Sequence, residues 1–120
     1  MPASVGYLVI DTTDPDGLVP FWCGLLDVSV HSTFADGQYV ILSETKSGLR
    51  VTFQHVPEAK AGKNRLHLDL LVDDLDAATA EVEALGGRWL QPRTTQEIDG
   101  FRWRTMADPE GNEFDIIPSE

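Results

Sequence analysis

The chain repeats itself. Sliding the sequence by 60 residues lays YLVIDTTDPDGLVPFWCGLLD (7–27) over HLDLLVDDLDAATAEVEALGG (67–87). Tyr7 falls on His67, Leu8 on Leu68, Ile10 on Leu70, Asp14 on Asp74, Asp16 on Asp76 and Leu25 on Leu85. Few identities survive, but the apolar pattern and the aspartate recur in step. A repeat at half the length of a 120-residue chain is a strong constraint, because what one half forms the other must form as well.

Each copy reads as a strand, an aspartate and an amphipathic helix. Asp14 and Asp74 can accept hydrogen bonds from the free amides of a first helical turn. Pro15 suits the first helical position, where no donor is needed. Leu18, Phe21, Trp22 and Leu25 form one apolar stripe; Leu75, Ala78, Val82 and Leu85 form the other, which Gly86-Gly87 ends. Pro20 removes a hydrogen bond inside the first helix and predicts a kink or an irregular first turn.

Shorter strand-like runs follow each helix. They cover roughly 28–34, 37–43 and 49–56 in the first half, broken by ADG (35–37) and KSG (46–48). In the second half they cover roughly 87–90, 101–107 and 113–117, broken by EIDG (97–100) and DPEGN (108–112). The breaks have the Gly, Asp and Asn chemistry of turns. The order is β-α-β-β-β, written twice, an α+β class. We read one domain of two modules, 1–57 and 65–120, joined by a polar connection over 58–64.

Composition narrows the function. Hydrophobic residues make up 42%, enough for a packed core. Nine basic against twenty acidic residues give a net charge of −11, a field that repels phosphate backbones and argues against nucleic acid. No apolar run is long enough to span a bilayer. Neither a signal peptide nor a cysteine pair is visible, since Cys23 is alone. Together these point to the cytoplasm.

The strand period of two sorts residues onto faces. Leu68, Leu70 and Val72 go under the second helix, and His67 and Asp69 point the other way. In EFDII (113–117), Phe114 and Ile116 pack on the helix, leaving Glu113, Asp115 and Ile117 opposite. Matching Gly48 to Gly111 puts Thr52 in the slot of Asp115. The expected cavity face, shared between two curved sheets, holds Tyr7 and Thr52 from module one and His67 and Asp115 from module two. Gln54, Asp69 and Arg50 are neighbours. Arg102-Trp103-Arg104 alternates, and Trp103 on the cavity face would stack on a flat ligand.

The duplicated β-α-β-β-β module resembles the vicinal oxygen chelate superfamily, which includes glyoxalase I, extradiol dioxygenases and bleomycin-resistance proteins. FRWRTMADPEGNEFDI (101–116) and KNRLHLDLLVDDLDAA (63–78) carry the resemblance, which covers nearly all of the chain and is closest to the glyoxalase-like domain proteins. It implies a curved mixed sheet around a cavity. It also implies a divalent metal held by a histidine or glutamine from the first strand of each module and a carboxylate from each last strand. Carried over, His67 and Asp115 occupy metal slots, while Tyr7 and Thr52 occupy the other two and are poor ligands. Two ligands fall short of the three that catalytic zinc sites usually take. Gln54 or Asp69 would complete the set only in another register.

Two kinds of function follow. One is a lyase, isomerase or dioxygenase acting on a small oxygenated molecule, with catalytic work at His67, Asp69 and Glu113 and a ligand cavity lined by Tyr7, Thr52, Gln54 and Trp103. The other is a metal-free protein that sequesters a small drug or metabolite. A metal-independent enzyme using Tyr7, His67 and Asp69 is a third variant. The resemblance and the uncovered sheet edges imply a homodimer. His31 and His55 read as surface or strand-end residues, Trp22 as core, and Cys23, with no basic neighbour, as no nucleophile.

Overall fold

A computed structural model describes residues 2–119. The chain forms two compact units, the first ending at Ala59 and the second beginning at Lys60, inside the polar connection.

Unit one runs β1 (Tyr7–Thr12), α1 (Pro15–Leu26), β2 (Val30–Phe34), β3 (Tyr39–Leu42) and β4 (Arg50–His55). Its sheet has the order β1-β4-β3-β2, with β1 parallel to β4 and the other pairs antiparallel. The Asp14 side chain caps α1 by accepting from the Gly17 amide at 3.2 Å. A side chain at residue 17 would collide with that cap, since a Cβ there would stand 2.5 Å from Asp14 Oδ2. The helix continues unbroken through Pro20, so the sequence-based kink is not a break in the helix. Leu18, Phe21 and Trp22 are buried on α1, as are Leu42, Val51 and Phe53 on the strands. The helix packs on β4.

Unit two repeats the plan with β5 (Asp69–Val72), α2 (Leu75–Ala84), β6 (Arg88–Trp89), β7 (Gln96–Ile98), β8 (Phe101–Ala107) and β9 (Glu113–Pro118). The sheet order is β5-β9-β8-β6, with β7 pairing β8, and β5 is parallel to β9. Asp74 Oδ1 caps α2 by accepting from the Asp76 and Ala77 amides at 2.9 and 3.4 Å. Gly86, at φ 101°, takes the left-handed turn that lets the Gly87 amide reach the Val82 carbonyl at 2.9 Å. Leu75, Ala78 and Val82 face inward with Met106, Phe114 and Ile116.

One element departs from the sequence reading. EIDG (97–100) is not a plain break, because Gln96–Ile98 forms β7. Asp99 and Gly100 both have positive φ, at 52° and 83°, and close a two-residue hairpin in which Ile98 opposes Phe101. That geometry matches the twist of the flanking strands, and Asp-Gly is one of its favoured pairs. β6 and β7 therefore share one edge of β8, where module one has the single strand β2.

DPEGN is a structural turn. Asp108 is 1% exposed, and its Oδ1 accepts from the amides of Glu110 and Asn112, both at 2.9 Å. On the helix side, Arg104 is buried. It stacks 4.4 Å over the Trp89 ring and donates to Thr95 Oγ1, the Leu75 carbonyl, Thr79 Oγ1 and Asp76 Oδ1. Among the described residues, no helix is long and apolar enough to cross a membrane.

Candidate functional site

The parallel ladder of β5 on β9 sets Asp69 beside Asp115, and the antiparallel ladder of β8 sets Thr105 on the other flank of Asp115. Cross-strand neighbours share a face. The three polar side chains thus form a row, while Leu70, Ile116 and Arg104 form the next row on the helix face. His67 precedes β5 by two residues and points to the polar face. The Asp115 amide donates to the Leu68 carbonyl at 2.9 Å, tying this strand entrance to β9.

His67 Nε2 stands 3.2 Å from Asp69 Oδ1 and 3.3 Å from Asp115 Oδ2. Thr105 Oγ1 donates to Asp115 Oδ1 at 2.8 Å, so one oxygen is held by the sheet and the other is turned to the imidazole. Burial raises the Asp115 carboxyl above its ordinary value; the Thr105 hydrogen bond and His67 pull against that rise, and Asp69 adds to it. His67 and Asp69 are each about half exposed, with side-chain exposures of 52% and 49%, against 16% for Asp115. The deeper carboxylate is the held one, and the outer two groups are open to a ligand.

These groups border an open recess of about 550 Å³ lined by His67, Asp69, Asp115, Ile98, Phe101 and Trp103. The apolar wall comes from the β7–β8 hairpin. Phe101 and Trp103 lie 5.8 Å apart, tilted by 47°. Ile98 and Phe101 are 64% and 53% exposed, an apolar surface at the rim of the recess. The lining contains neither lysine nor arginine among the described residues.

His67, Asp69, Asp115 and Trp103 are therefore brought together. Glu113 is not in that lining; Lys63 pairs with its carboxylate at 2.8 Å and Asn64 donates to its carbonyl at 3.0 Å. Tyr7, Thr52 and Gln54 belong to unit one. There Val9 opposes Thr52, and Ile41 opposes it from β3, repeating the row Asp69, Asp115, Thr105 with a threonine between two apolar residues. Thr52 is 5% exposed with no hydrogen-bond partner for its hydroxyl; Gln54 donates to Tyr39 Oη at 3.3 Å, and Tyr7 is exposed. His31 and His55 are exposed, and Trp22 is core. Cys23 is half-buried, which pushes its thiol pKa up, away from the reactive thiolate. Thr105 and the hairpin residues Ile98 and Phe101 escaped the sequence reading. The Asp-Gly dipeptide was the available signal for the hairpin.

The donor chemistry suits a divalent cation. His67, Asp69 and Asp115 each offer one ligand atom, and all three atoms lie within 4.8 Å of one another. Ligands at about 2.1 Å from one ion stand about 3.0–3.4 Å apart around an octahedron or tetrahedron. The two imidazole–carboxylate separations, 3.2 and 3.3 Å, fall in that range. In the register that the strands adopt, Asp69 shares the polar face with His67 and Asp115.

Residues 7–117 match the glyoxalase-like domain family. The fold matches a glyoxalase/bleomycin resistance protein/dioxygenase family enzyme from Burkholderia phytofirmans PsJN, with TM-score 0.79 and 18% identity over 97% of this chain and 98% of that one. It also matches the oxidase ChaP-H2, with TM-score 0.73 and 19% identity over 100% and 96% of the two chains. A glyoxalase-related enzyme from Fulvimarina pelagi gives TM-score 0.73 at 16% identity, over 97% and 88%. Among curated proteins no sequence relative is found.

Proposed function

The chain belongs to the glyoxalase-like domain family, within the vicinal oxygen chelate superfamily, and from that premise we propose a metal-assisted enzyme acting on a small oxygenated molecule. The reaction class is that of a lyase, isomerase or dioxygenase. The observation that carries this reading is the convergence of His67, Asp69 and Asp115 at the edge of a recess with an aromatic wall. These three residues would hold a divalent ion, which supplies Lewis-acid stabilisation of charge developing on a substrate oxygen.

The remaining work falls to this chain's own groups. Phe101 and Trp103 orient a flat or apolar part of the substrate and exclude water beside it. Thr105 fixes the Asp115 carboxylate. A divalent ion held there would balance the charge of the two carboxylates, and with no lysine or arginine in the lining the recess adds no further cation to attract an anionic substrate.

The direct test is titration of untagged, chelator-treated protein with cobalt, zinc, manganese and nickel. We expect one ion per chain, bound at micromolar or tighter. No binding below about millimolar with any of them sinks the enzyme reading.

A second reading is metal-free sequestration of a small cationic or neutral ligand. Module one favours it, because its two slots hold the poor ligands Tyr7 and Thr52, and the strand neighbours of Thr52 are the apolar Val9 and Ile41.

A further inference from the structure

We infer that Asp69 takes over the ligand role that module one has lost, so that the metal set is drawn from module two alone. The inference rests on the metal-assisted reading above and concerns where the ligands come from. The superfamily pattern set out above draws ligands from the first and last strands of both modules. In this chain the two modules have the same ladder but opposite chemistry on it. Position by position, Tyr7 answers to His67, Val9 to Asp69, Thr52 to Asp115 and Ile41 to Thr105. Every polar member of the module-two row has an apolar or weakly ligating counterpart in module one.

Asp69 has the geometry to compensate. It is the direct cross-strand partner of Asp115, and its Oδ1 is 3.2 Å from His67 Nε2. The face alternation of β5 puts His67 and Asp69, two residues apart, on the same side. A single strand entrance therefore supplies both an imidazole and a carboxylate, and β9 adds the second carboxylate. Asp115 is fixed by Thr105 before any ion arrives. Three protein ligands satisfy what a catalytic divalent site needs and leave coordination positions for substrate.

Cobalt is the probe, because its visible absorption reports coordination without any turnover. Untagged protein and its variants, stripped with chelator, are titrated with cobalt by calorimetry and by absorption. The unmodified protein should bind one cobalt per chain. Asp69→Asn should weaken cobalt at least tenfold and alter the absorption band, while Asp69→Glu retains part of the affinity. Tyr7→Phe and Thr52→Val should leave affinity within twofold and the band unchanged. Asp69 is half exposed, so its substitution leaves the fold intact, which urea unfolding of the same samples checks. If Asp69→Asn binds as tightly as the unmodified protein, or Tyr7→Phe or Thr52→Val weakens cobalt tenfold, the one-module set is overturned while the enzyme reading stands. If the unmodified protein binds no cobalt, zinc, manganese or nickel, the enzyme reading falls and takes this inference with it.

Discussion

Neighbouring residues on β9 point to opposite faces, and replacing each in turn measures whether those faces do different work. Ile116 is 0% exposed, between Leu70 and Arg104 on the helix side. Ile116→Ala removes three carbons, worth about 2.4 kcal/mol at about 0.8 kcal/mol per buried CH₂. The cavity left behind raises the loss to about 3–4 kcal/mol. Asp115→Asn keeps the shape and leaves an oxygen for Thr105. Since burial raises the Asp115 carboxyl, folded protein holds that proton more tightly than unfolded chain does. The stability Asp115 contributes is therefore fully present below the ordinary carboxylate range and is lost as pH rises through the raised value. At neutral pH its charge is a net cost, so Asp115→Asn should leave stability equal or higher, within about 1 kcal/mol. Urea unfolding of metal-free protein at pH 7 reads both. With a slope of about 1.5 kcal/mol per molar, Ile116→Ala lowers the midpoint by about 2 M. An Asp115→Asn midpoint that falls as far as that of Ile116→Ala would refute both the face assignment and the sign of the electrostatic argument.

Arg104→Ala should cost about 3 kcal/mol, from hydrogen bonds to Leu75, Thr79 and Thr95 at about 1 kcal/mol each, some recovered by water and some added by the lost stacking on Trp89. Asp76→Asn should cost under about 1 kcal/mol, because Asp76 is 87% exposed; equal losses in urea unfolding would show that the ion pair, and not the buried half of the network, holds Arg104. Gly100→Val should destabilise by about 1–2 kcal/mol in the same assay, since φ 83° is strained for a β-branched residue. Cys23 should react with a thiol reagent at pH 8 far more slowly than free cysteine, and a rate equal to or above that of the free amino acid contradicts its half-buried setting. Light scattering should give twice the mass of one chain, because β1, β2, β5 and β6 are edge strands and Val9 and Leu71 leave 51% and 73% of their surface exposed; a monomer at micromolar concentration rules this out.

The repeat made the frame legible. Asp14 and Asp74 cap the helices that the spacing assigned to them, and the period of two sorted His67 and Asp69 from Leu68 and Leu70. Contacts between strands were harder to read. Asp69 meets Asp115 only because residues far apart in sequence share a ladder, and periodicity within one strand says which face a residue takes but not which partner it meets. Thr105 carries no signal of its own, since a threonine in a strand is ordinary. β7 is three residues long, too short for alternation to emerge, and the acidic character of EID masked it as a turn. Glu113 faces the right way by alternation, yet Lys63 engages it, a contact set by how the polar connection folds back.

The place of β9 in its sheet bears on the order in which the protein matures. Strand β4 emerges early and can pair with β1 while the second half of the chain is still being synthesised. In unit two the last of that unit's strands in chain order, β9, lies in the middle, between β5 and β8. Until it arrives, β5 has no ladder partner among the strands of its own unit, and His67 and Asp69 stand without Asp115. His67, Asp69 and Asp115 come together only when β9 has paired with β5, so an ion held by all three could not bind before that strand is in place.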